Sequence, residues 1–434
     1  MAIDNKDKKV LKSSIEREQN EVACSAECEK IKGSKNLNVP HLRFPEFSEE
    51  WEICKVSELL DFYSTNSLSW EQLEYGTKAI MNLHYGLIHV GLPTMVDLTR
   101  DNLPNIKEDN MPKNFELCKE GDVAFADASE DTNEVAKPIE FFDLAGKNIV
   151  CGLHTIHGRD NKNKTVIGFK GYAFSSSAFH NQIRRIAQGT KIYSISTKNF
   201  SECFIGIPSK VEQTKIATLL RLIDERIATQ NKIIEDLKKL KSAIVDKLYS
   251  YTNGETYSFR QLFEVVNEKN KKLTYKNVLS ASQELGMIER SDINIDIKFE
   301  QESISGYKIV RKGDYIVHLR SFQGGFAFSD RTGICSPAYT ILHPNNLVIY
   351  GYLSHFFTSM PFIKSLKLVT YGIRDGRSIN VDEWLNMTVI LPTMQEQTHI
   401  LTIINAIDAK LHNEAKYQSC LFRQKSYLLN TLFI

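Results

Sequence analysis

Residues 207–250 read IPSKVEQTKIATLLRLIDERIATQNKIIEDLKKLKSAIVDKLYS, and residues 391–434 read LPTMQEQTHILTIINAIDAKLHNEAKYQSCLFRQKSYLLNTLFI. The second stretch repeats the first at an offset of 184 residues. The copies agree at Pro208 and Pro392, and Glu212-Gln213-Thr214 recurs as Glu396-Gln397-Thr398. A repeat of this length in one register indicates internal duplication.

Each copy is predicted to form one long helix that follows a proline, a residue suited to the N-terminal edge of a helix. Apolar residues recur in steps of four and three, the heptad spacing that presents a narrow seam to another helix. Polar interruptions at Gln230 and Lys241 match Glu414 and Lys425 in the second copy. About 40 residues at ~1.5 Å each make a spacer of about 60 Å. The seam consists of Ile216, Leu220, Ile223, Ile227, Leu237, Ile400, Ile404, Ile407, Leu411 and Leu421.

The composition is that of an ordinary globular protein. Of 434 residues, 42% are hydrophobic and 25% charged, which leaves ample length for two or more domains. The N-terminus is charged and no apolar run approaches a membrane span, so a cytoplasmic location is expected. Eight scattered cysteines are interpreted as reduced thiols. A net charge of +1 does not by itself suggest a protein that binds nucleic acid alone.

The duplication extends to the segments between the helices. Glu120-Gly121-Asp122 matches Lys312-Gly313-Asp314, Cys151 matches Cys335, and Ser194-Ile195 matches Ser378-Ile379. Short strand-like runs alternate with turns and helical segments in both, which predicts a mixed α/β fold. The predicted order is a polar, disordered extension (1–36), a first globular domain (37–207), a central helix (208–250), a second globular domain (251–391) and a C-terminal helix (392–434).

The order PHLRFPEF at residues 40–47, followed by two copies of IPxxxEQxKIxxLLxxID-like sequence and long helices, resembles the DNA specificity subunit of Type I restriction-modification systems. The resemblance covers roughly residues 40–434. It implies two similar target-recognition domains separated by two long conserved helices that form an antiparallel coiled-coil spacer. Each domain would read one half of a bipartite double-stranded DNA site. It also implies two DNA adenine methyltransferase subunits and restriction/translocase subunits as partners.

No catalytic residues or metal site are predicted in this chain. It lacks the Asn/Asp-Pro-Pro-aromatic motif of an adenine methyltransferase and a phosphate-binding loop, so S-adenosylmethionine and ATP with Mg²⁺ are expected only on the partner subunits. Cys151, His154 and His157 have a spacing that can hold a metal, but the matching segment of the second domain lacks both histidines and no fourth ligand is evident. A metal is therefore not expected.

Polar loops after matching elements are the candidates for contact with DNA, because Arg, Asn and Gln can read base edges and Lys can bind phosphates. Incidental surface charge is the alternative for each residue. In the second domain the candidates are Arg320, Ser321, Gln323, Arg374, Arg377 and Asn380. In the first domain they are Ser129, Asn133, Lys137, Arg184, Arg185, Gln188, Lys191 and Lys198.

Two other functions compete with a specificity subunit. A structural adaptor would use the paired helices to tether proteins without binding a DNA sequence. An enzyme would carry an unrecognised chemistry in the region from Cys151 to His157. The adaptor predicts no sequence-dependent protection of DNA, and metal analysis would address the enzyme.

Overall fold

The computed structural model describes residues 38–76, 80–251, 253–282, 285–292, 301–318, 325–371 and 378–434. The chain forms two compact units. Unit 1 comprises the residues up to Thr229 together with Ser419–Ile434, and unit 2 comprises Gln230–Gln418. Both units mix helices and strands, which confirms the predicted α/β class. Within the described residues, no helix is long and apolar enough to cross a membrane.

The strands of unit 1 are β1 (Glu52–Lys55), β2 (Asp61–Tyr63), β3 (Leu73–Glu74), β4 (Ile80–Leu83), β5 (Met95–Asp97), β6 (Asn105–Ile106), β7 (Val123–Ala126), β8 (Ala128–Ser129), β9 (Pro138–Asp143), β10 (Asn148–Cys151), β11 (Thr155–Arg159), β12 (Tyr193–Ser194) and β13 (Phe204–Ile207). Its short helices are α1 (Val56–Leu59), α2 (Tyr85–Val90), α3 (Lys170–Phe174), α4 (Ser177–Ile186) and α5 (Thr197–Ser201). Helix α6 (Lys210–Ser250) follows, with residues up to Thr229 in unit 1.

The strands of unit 1 form two larger sheets and two strand pairs. The sheet orders are β10-β4-β6-β3 and β2-β11-β7-β9-β5, and the pairs are β1-β13 and β8-β12. The core is rich in Phe: Phe125, Phe174, Phe179 and Phe200 are buried with ring centroids 4.5–6.1 Å apart. Burial of such rings accounts for much of the stability of a core. The same cluster continues into α6 through Ile216 and its neighbours in the seam.

The strands of unit 2 are β14 (Glu255–Ser258), β15 (Phe263–Val266), β16 (Leu279–Ser282), β17 (Gly286–Glu289), β18 (Lys308–Val310), β19 (Tyr315–Val317), β20 (Phe326–Phe328), β21 (Gly333–Cys335), β22 (Thr340–Pro344), β23 (Thr370–Tyr371), β24 (Ser378–Ile379) and β25 (Thr388–Leu391). Its helices are α7 (Phe259–Leu262), α8 (Tyr352–Phe356), α9 (Met360–Ser365), α10 (Val381–Asn386) and α11 (Met394–Thr431), and the residues of α11 from Ser419 onward belong to unit 1.

The strand pairing of unit 2 repeats that of unit 1. β14 pairs with β25 as β1 pairs with β13, and the sheet β15-β22-β19-β20 contains the counterpart of β2-β11-β7. Its core centres on Trp384, whose ring stacks on Phe259 at 4.3 Å between centroids. The duplication predicted from the sequence is therefore present in the backbone pairing as well.

The repeated Glu-Gln pair near the start of each long helix has a structural role. The buried Gln213 accepts a hydrogen bond from the Val166 amide (2.8 Å) and donates to the Pro208 carbonyl (2.9 Å). The equally buried Gln397 accepts from the Ile349 amide (2.9 Å) and donates to the Leu347 carbonyl (2.9 Å). Each glutamine thus joins its helix to a loop of its own unit. Because buried polar groups need partners, these contacts explain why Gln recurs at this position.

The predicted seam is largely buried, but part of it packs into the globular cores. In unit 1, Ile216, Leu220, Ile223, Ile227 and Leu421 belong to the main core cluster. In unit 2, Ile400 and Ile404 belong to the corresponding cluster, whereas Leu237, Ile407 and Leu411 are only half-buried. The seam therefore continues each domain core near the start of each helix and is less apolar further along.

The polar interruptions Gln230 and Lys241 each have a partner on the other long helix. In unit 2 the buried Gln230 side chain donates to the Glu414 carbonyl at 3.1 Å, and Lys241 forms an ion pair with Asp408 at 2.5 Å. As the residue number rises along α6, the number of the partner falls along α11, so the two segments run antiparallel in this unit. The matched heights predicted from the sequence are confirmed for Gln230 and Glu414.

Candidate nucleic-acid interface

Five of the predicted DNA-contacting residues of unit 1 lie on one surface, formed by residues 127–133 and 188–194 together with Arg184 and called here the hairpin surface. Strand β8 pairs with β12, so that Ser129 lies opposite Tyr193. The Gln188 amide donates to the Ser194 carbonyl at 2.9 Å and the reverse bond is 2.8 Å. The Ile195 amide then donates to the Asp127 carbonyl at 2.9 Å. These backbone bonds bring Ser129, Asn133, Arg184, Gln188 and Lys191 together.

Arg184 and Asn133 contact each other directly across the hairpin surface. The Nη1 of Arg184 donates to the Oδ1 of Asn133 at 2.7 Å, and the same guanidinium donates to the Asn181 side chain. Both side chains are exposed. An exposed guanidinium held by two amide oxygens keeps its full charge and a defined direction, which suits a base edge or a phosphate.

The turn that presents Lys191 requires glycine. Gly189 has φ +145°, and a β-carbon there would lie 1.9 Å from the Ile192 carbonyl oxygen. Lys191 is exposed, and the neighbouring Ile192 is 62% exposed. The turn therefore projects a cation and an apolar side chain from the hairpin surface.

The other candidates of unit 1 are arranged differently. Lys137 is half-buried and its ammonium lies 2.7 Å from Glu134, a carboxylate that also lies 3.8 Å from the His89 ring. Arg185 is exposed at the end of α4, and Lys198 is exposed on α5. Lys137 is thus partly neutralised within the unit, whereas Arg185 and Lys198 present their side chains to solvent.

In unit 2 the described candidate is Asn380. Its side chain accepts a hydrogen bond from the Glu383 amide at 3.3 Å and donates to the Glu383 carboxylate at 2.9 Å, so it caps helix α10. Asparagine is a favoured N-cap residue. Asn380 therefore has a structural use, although it is exposed. The candidates Arg320, Ser321, Gln323, Arg374 and Arg377 lie outside the described residues.

Aromatic and histidine rings next to the hairpin surface were not among the predicted DNA-contacting residues. Tyr85 packs against His154 (5.1 Å between centroids) and His89 (5.9 Å), and Trp70 packs on His84 (4.5 Å). His89 binds the Ala128 carbonyl at 2.9 Å, which joins this cluster to β8. Burial and the neighbouring His154 lower the pKa of His84. The rings come from three separate stretches of sequence, and no local pattern connects them.

The structure does not bring Cys151, His154 and His157 together, although their spacing in the sequence resembles that of metal ligands. The Nδ1 of His154 binds the Asp127 carboxylate at 3.0 Å on the surface, away from the buried Cys151 and His157. Cys118 takes its place beside them: Cys118, Cys151 and His157 are the possible metal-ligating group found within the described residues. The sequence did not suggest Cys118 because it lies on a different segment, which reaches β10 through a hydrogen bond from the Cys118 amide to the Ile149 carbonyl at 2.8 Å.

Comparison with known proteins shows what the chain is similar to. A family model described as "Type I restriction modification DNA specificity domain" matches residues 254–419. The chain is also 21% identical over 425 residues to the putative type I restriction enzyme MjaX specificity subunit of Methanocaldococcus jannaschii, which covers 92% of this chain and 96% of that protein. Residues 254–419 therefore match a type I DNA specificity domain, and nearly the whole chain is similar to a type I specificity subunit.

Other comparisons agree with this similarity. The chain is 22% identical over 278 residues to the EcoKI specificity subunit of Escherichia coli K12, covering 56% of this chain and 58% of that protein. A solved structure from work on complex assembly and conformational transition of the type I R-M system shares the fold, with a TM-score of 0.57, 13% identity, and coverage of 90% of this chain and 98% of that one. The family model covers unit 2 from residue 254 onward, including most of helix α11, and unit 1 is related to unit 2 by the repeated strand pairing.

Proposed function

We propose that this chain recognises a bipartite double-stranded DNA site, with unit 1 and unit 2 each reading one half-site. The similarity to type I specificity subunits supports a role in DNA sequence specificity within a type I complex. The duplicated strand pairing supports two readers of the same design. The hairpin surface is the proposed reading face of unit 1.

The observation that carries this proposal is the contrast between a repeated framework and different surfaces. Gln213 and Gln397 make equivalent hydrogen bonds at the junctions with the long helices. By contrast, the last turn of α4 in unit 1 carries Arg184 and Arg185, whereas the last turn of the matching helix α9 in unit 2 carries Lys364. A framework that keeps its junctions and varies its polar loops suits the recognition of two different base sequences.

We also propose that the chain is non-catalytic and positions partner subunits on the DNA. The proposed partners are two adenine methyltransferase subunits and the restriction/translocase subunits, which would carry S-adenosylmethionine, ATP and Mg²⁺. The net charge of +1 supports DNA binding that is shared with partner subunits, because a protein that bound DNA tightly by itself would need a larger excess of basic residues to neutralise the phosphates.

The two long helices are proposed to act as an antiparallel spacer that sets the gap between the half-sites. The antiparallel pairing of Gln230 with Glu414 and of Lys241 with Asp408 supports this role. One heptad inserted into each helix would add about 10 Å at ~1.5 Å per residue, or roughly three base pairs at ~3.4 Å. The half-sites should then stay unchanged while the gap lengthens, and an unchanged gap would contradict the spacer role.

The test is an exchange of one reader at a time. Residues 51–207 are replaced by the equivalent segment of a related specificity subunit, and the methylated motif of the reconstituted complex is sequenced. One half-site should change, and the matched exchange of residues 251–391 should change the other half-site. A change in both halves or in neither would contradict two independent readers, and sequence-independent binding would favour the structural adaptor.

A further inference from the structure

Two thiols and an imidazole meet in the interior of unit 1. The Sγ atoms of Cys118 and Cys151 lie 3.6 Å apart, and both lie within 4.8 Å of a ring nitrogen of His157. All three side chains are buried, with His157 fully so. Cys118 lies just before β7, Cys151 ends β10 and His157 lies in β11. The group therefore joins three segments of the unit.

One nitrogen of His157 is engaged and the other lacks a partner. The Nε2 contacts the Asp122 carboxylate at 2.8 Å, while the buried Nδ1 has no hydrogen-bond partner within the described residues. Asp122 is held in turn by Arg159, whose Nε and Nη2 donate to it at 2.9 and 2.8 Å. A carboxylate that fixes the tautomer of a histidine is the usual support of a metal-ligating imidazole, and it leaves the second nitrogen free to bind.

The spacing of the two sulfur atoms fits a tetrahedral ion. Zinc–sulfur bonds of ~2.3 Å at a tetrahedral angle place two sulfurs about 3.8 Å apart, close to the observed 3.6 Å. A disulfide needs a sulfur–sulfur distance of about 2 Å, which the observed 3.6 Å greatly exceeds. We propose that Cys118, Cys151 and the free nitrogen of His157 bind a zinc ion, with a water molecule as the fourth ligand.

Charge balance supports a divalent ion at this position. Two thiolates offset Zn²⁺, and the ion pair between Asp122 and Arg159, 2.8 Å apart, is neutral on its own. Thiols bind zinc as thiolates, so zinc binding would release the thiol protons.

Unit 2 shows that the fold does not need this polar group. The backbone pair Leu117–Val150 of unit 1 matches the pair Ile309–Ile334 of unit 2. The residues that follow each of these therefore also match, so Cys118 corresponds to Val310 and Cys151 to Cys335. In the same way, the pair Val123–Gly158 matches Tyr315–Leu342, so the preceding residues His157 and Ile341 correspond. In unit 2, Val310, Cys335 and Ile341 belong to a hydrophobic cluster. Unit 1 thus carries ligand side chains where its copy has an apolar core.

The site has a direct structural route to the hairpin surface. His157 and His154 lie at either side of the start of β11, and the Asp127 amide donates to the His154 carbonyl at 3.1 Å. The Asp127 carbonyl accepts from Ile195 at the edge of the hairpin surface. An ion bound by Cys118, Cys151 and His157 would therefore hold the strand on which this surface rests.

The test uses the full chain and the pair of substitutions that unit 2 provides. The wild type, the double variant Cys118→Val with His157→Ile, and the control Cys335→Val are purified in the presence of zinc, and their metal content and circular dichroism are measured. About one zinc per chain is expected in the wild type and in Cys335→Val, and none in the folded double variant. Equal zinc in all three chains, or no zinc in the wild type, would overturn the site.

Cobalt provides a second readout that does not depend on the fold of any variant. Co²⁺ added to the metal-free wild type should give thiolate-to-cobalt charge-transfer absorption, d–d bands of a tetrahedral site, and the release of protons from the thiols. Cys118→Ser should roughly halve the charge-transfer intensity. The absence of charge-transfer bands, or a Cys118–Cys151 disulfide found by mass spectrometry of the non-reduced chain, would overturn the proposal.

Discussion

Asp224 and Lys425 form an ion pair in unit 1, with the carboxylate 2.6 Å from the ammonium. In unit 2 their repeat equivalents, Asp408 and Lys241, form the same pair at 2.5 Å. The aspartate belongs to the first long helix in unit 1 and to the second long helix in unit 2. The same contact therefore occurs in both units, but the long helix that supplies the aspartate in one unit supplies the lysine in the other. This exchange is what a duplicated helix must produce when it packs antiparallel against its own copy.

Charge reversal tests the Asp224–Lys425 pair. Asp224→Lys should destabilise unit 1 by about 1–2 kcal/mol, because two cations then face each other where both side chains are about 20% exposed, and because the Tyr172 hydroxyl loses the carboxylate that accepts its hydrogen bond at 2.9 Å. The double variant Asp224→Lys with Lys425→Asp should recover the part of this loss that charge repulsion causes. Urea titrations of the four chains of a double-mutant cycle measure the coupling, and the same cycle on Lys241 and Asp408 is the matched control. Additive effects would show that neither pair contributes to helix pairing.

Replacement of either buried glutamine should lower the free energy of unfolding by more than loss of the ion pair does. Gln213→Leu should cost about 2–3 kcal/mol, because the Val166 amide and the Pro208 carbonyl each lose a buried partner. Gln397→Leu should have a similar cost in unit 2. Gln395→Leu, at an exposed position on the same helix as Gln397, should change the free energy of unfolding by less than about 0.5 kcal/mol. Equal effects at Gln213 and Gln395 would contradict the proposed junction role.

The helices could be predicted from the sequence because their signal is local and repeated. The seam residues, the polar interruptions and the duplicated glutamines all recur at one offset, and the predicted helices 208–250 and 392–434 correspond to Lys210–Ser250 and Met394–Thr431. What the sequence did not show is that Ile216 and Ile400 pack into globular cores. A seam residue in a coiled coil and a core residue in a domain have the same apolar spacing.

The sites were harder to predict because their residues come from distant segments. The hairpin surface combines Asn133 and Arg184, which only the pairing of β8 with β12 brings together. The spacing of Cys151, His154 and His157 suggested three local ligands, but His154 faces the surface and Cys118 completes the group. Local spacing alone could not identify Cys118, because its position depends on how its segment pairs with β10.

The hairpin surface predicts a local change in DNA specificity. Arg184→Ala should weaken binding of the reconstituted methyltransferase complex by about 1–3 kcal/mol and relax the preference at one position of one half-site. Its guanidinium is held by Asn133, so Asn133→Ala should produce a weaker form of the same change. Binding is measured against single-base variants of the site at two salt concentrations.

A matched control separates base reading from the general attraction of DNA. Lys232→Ala, which removes an exposed cation from helix α6, should leave the base preference unchanged. If Arg184→Ala weakened all sequences alike and reduced the salt slope by about one, Arg184 would bind a phosphate instead. No change in either affinity or salt slope would remove Arg184 from the reading face.

His355 predicts a dependence of stability on pH in unit 2. Burial, with the nearby Lys241 ammonium, lowers the pKa of His355 to about 4 from its ordinary 6.5, although Asp408 acts in the opposite direction. The folded chain therefore keeps this ring neutral at pH values where the unfolded chain binds a proton. The stability that the neutral His355 ring contributes to the folded chain is fully present above pH 6.5 and is lost as the pH falls from 6.5 towards 4.

The difference between the pKa of His355 in the folded and unfolded chains sets how much stability is lost in acid. The full difference corresponds to about 3 kcal/mol of unfolding free energy, and partial solvent access of the ring reduces this to about 2 kcal/mol. His355→Gln should remove the part of the acid sensitivity that His355 causes, so between pH 7 and pH 4.5 the variant should lose about 1–2 kcal/mol less stability than the wild type. Urea titrations followed by tryptophan fluorescence at a series of pH values provide the measurement. The control His412→Gln, at an exposed position on α11, should lose as much stability between pH 7 and pH 4.5 as the wild type. Parallel pH profiles for the wild type and His355→Gln would show that the His355 ring is protonated equally in the folded and unfolded chains.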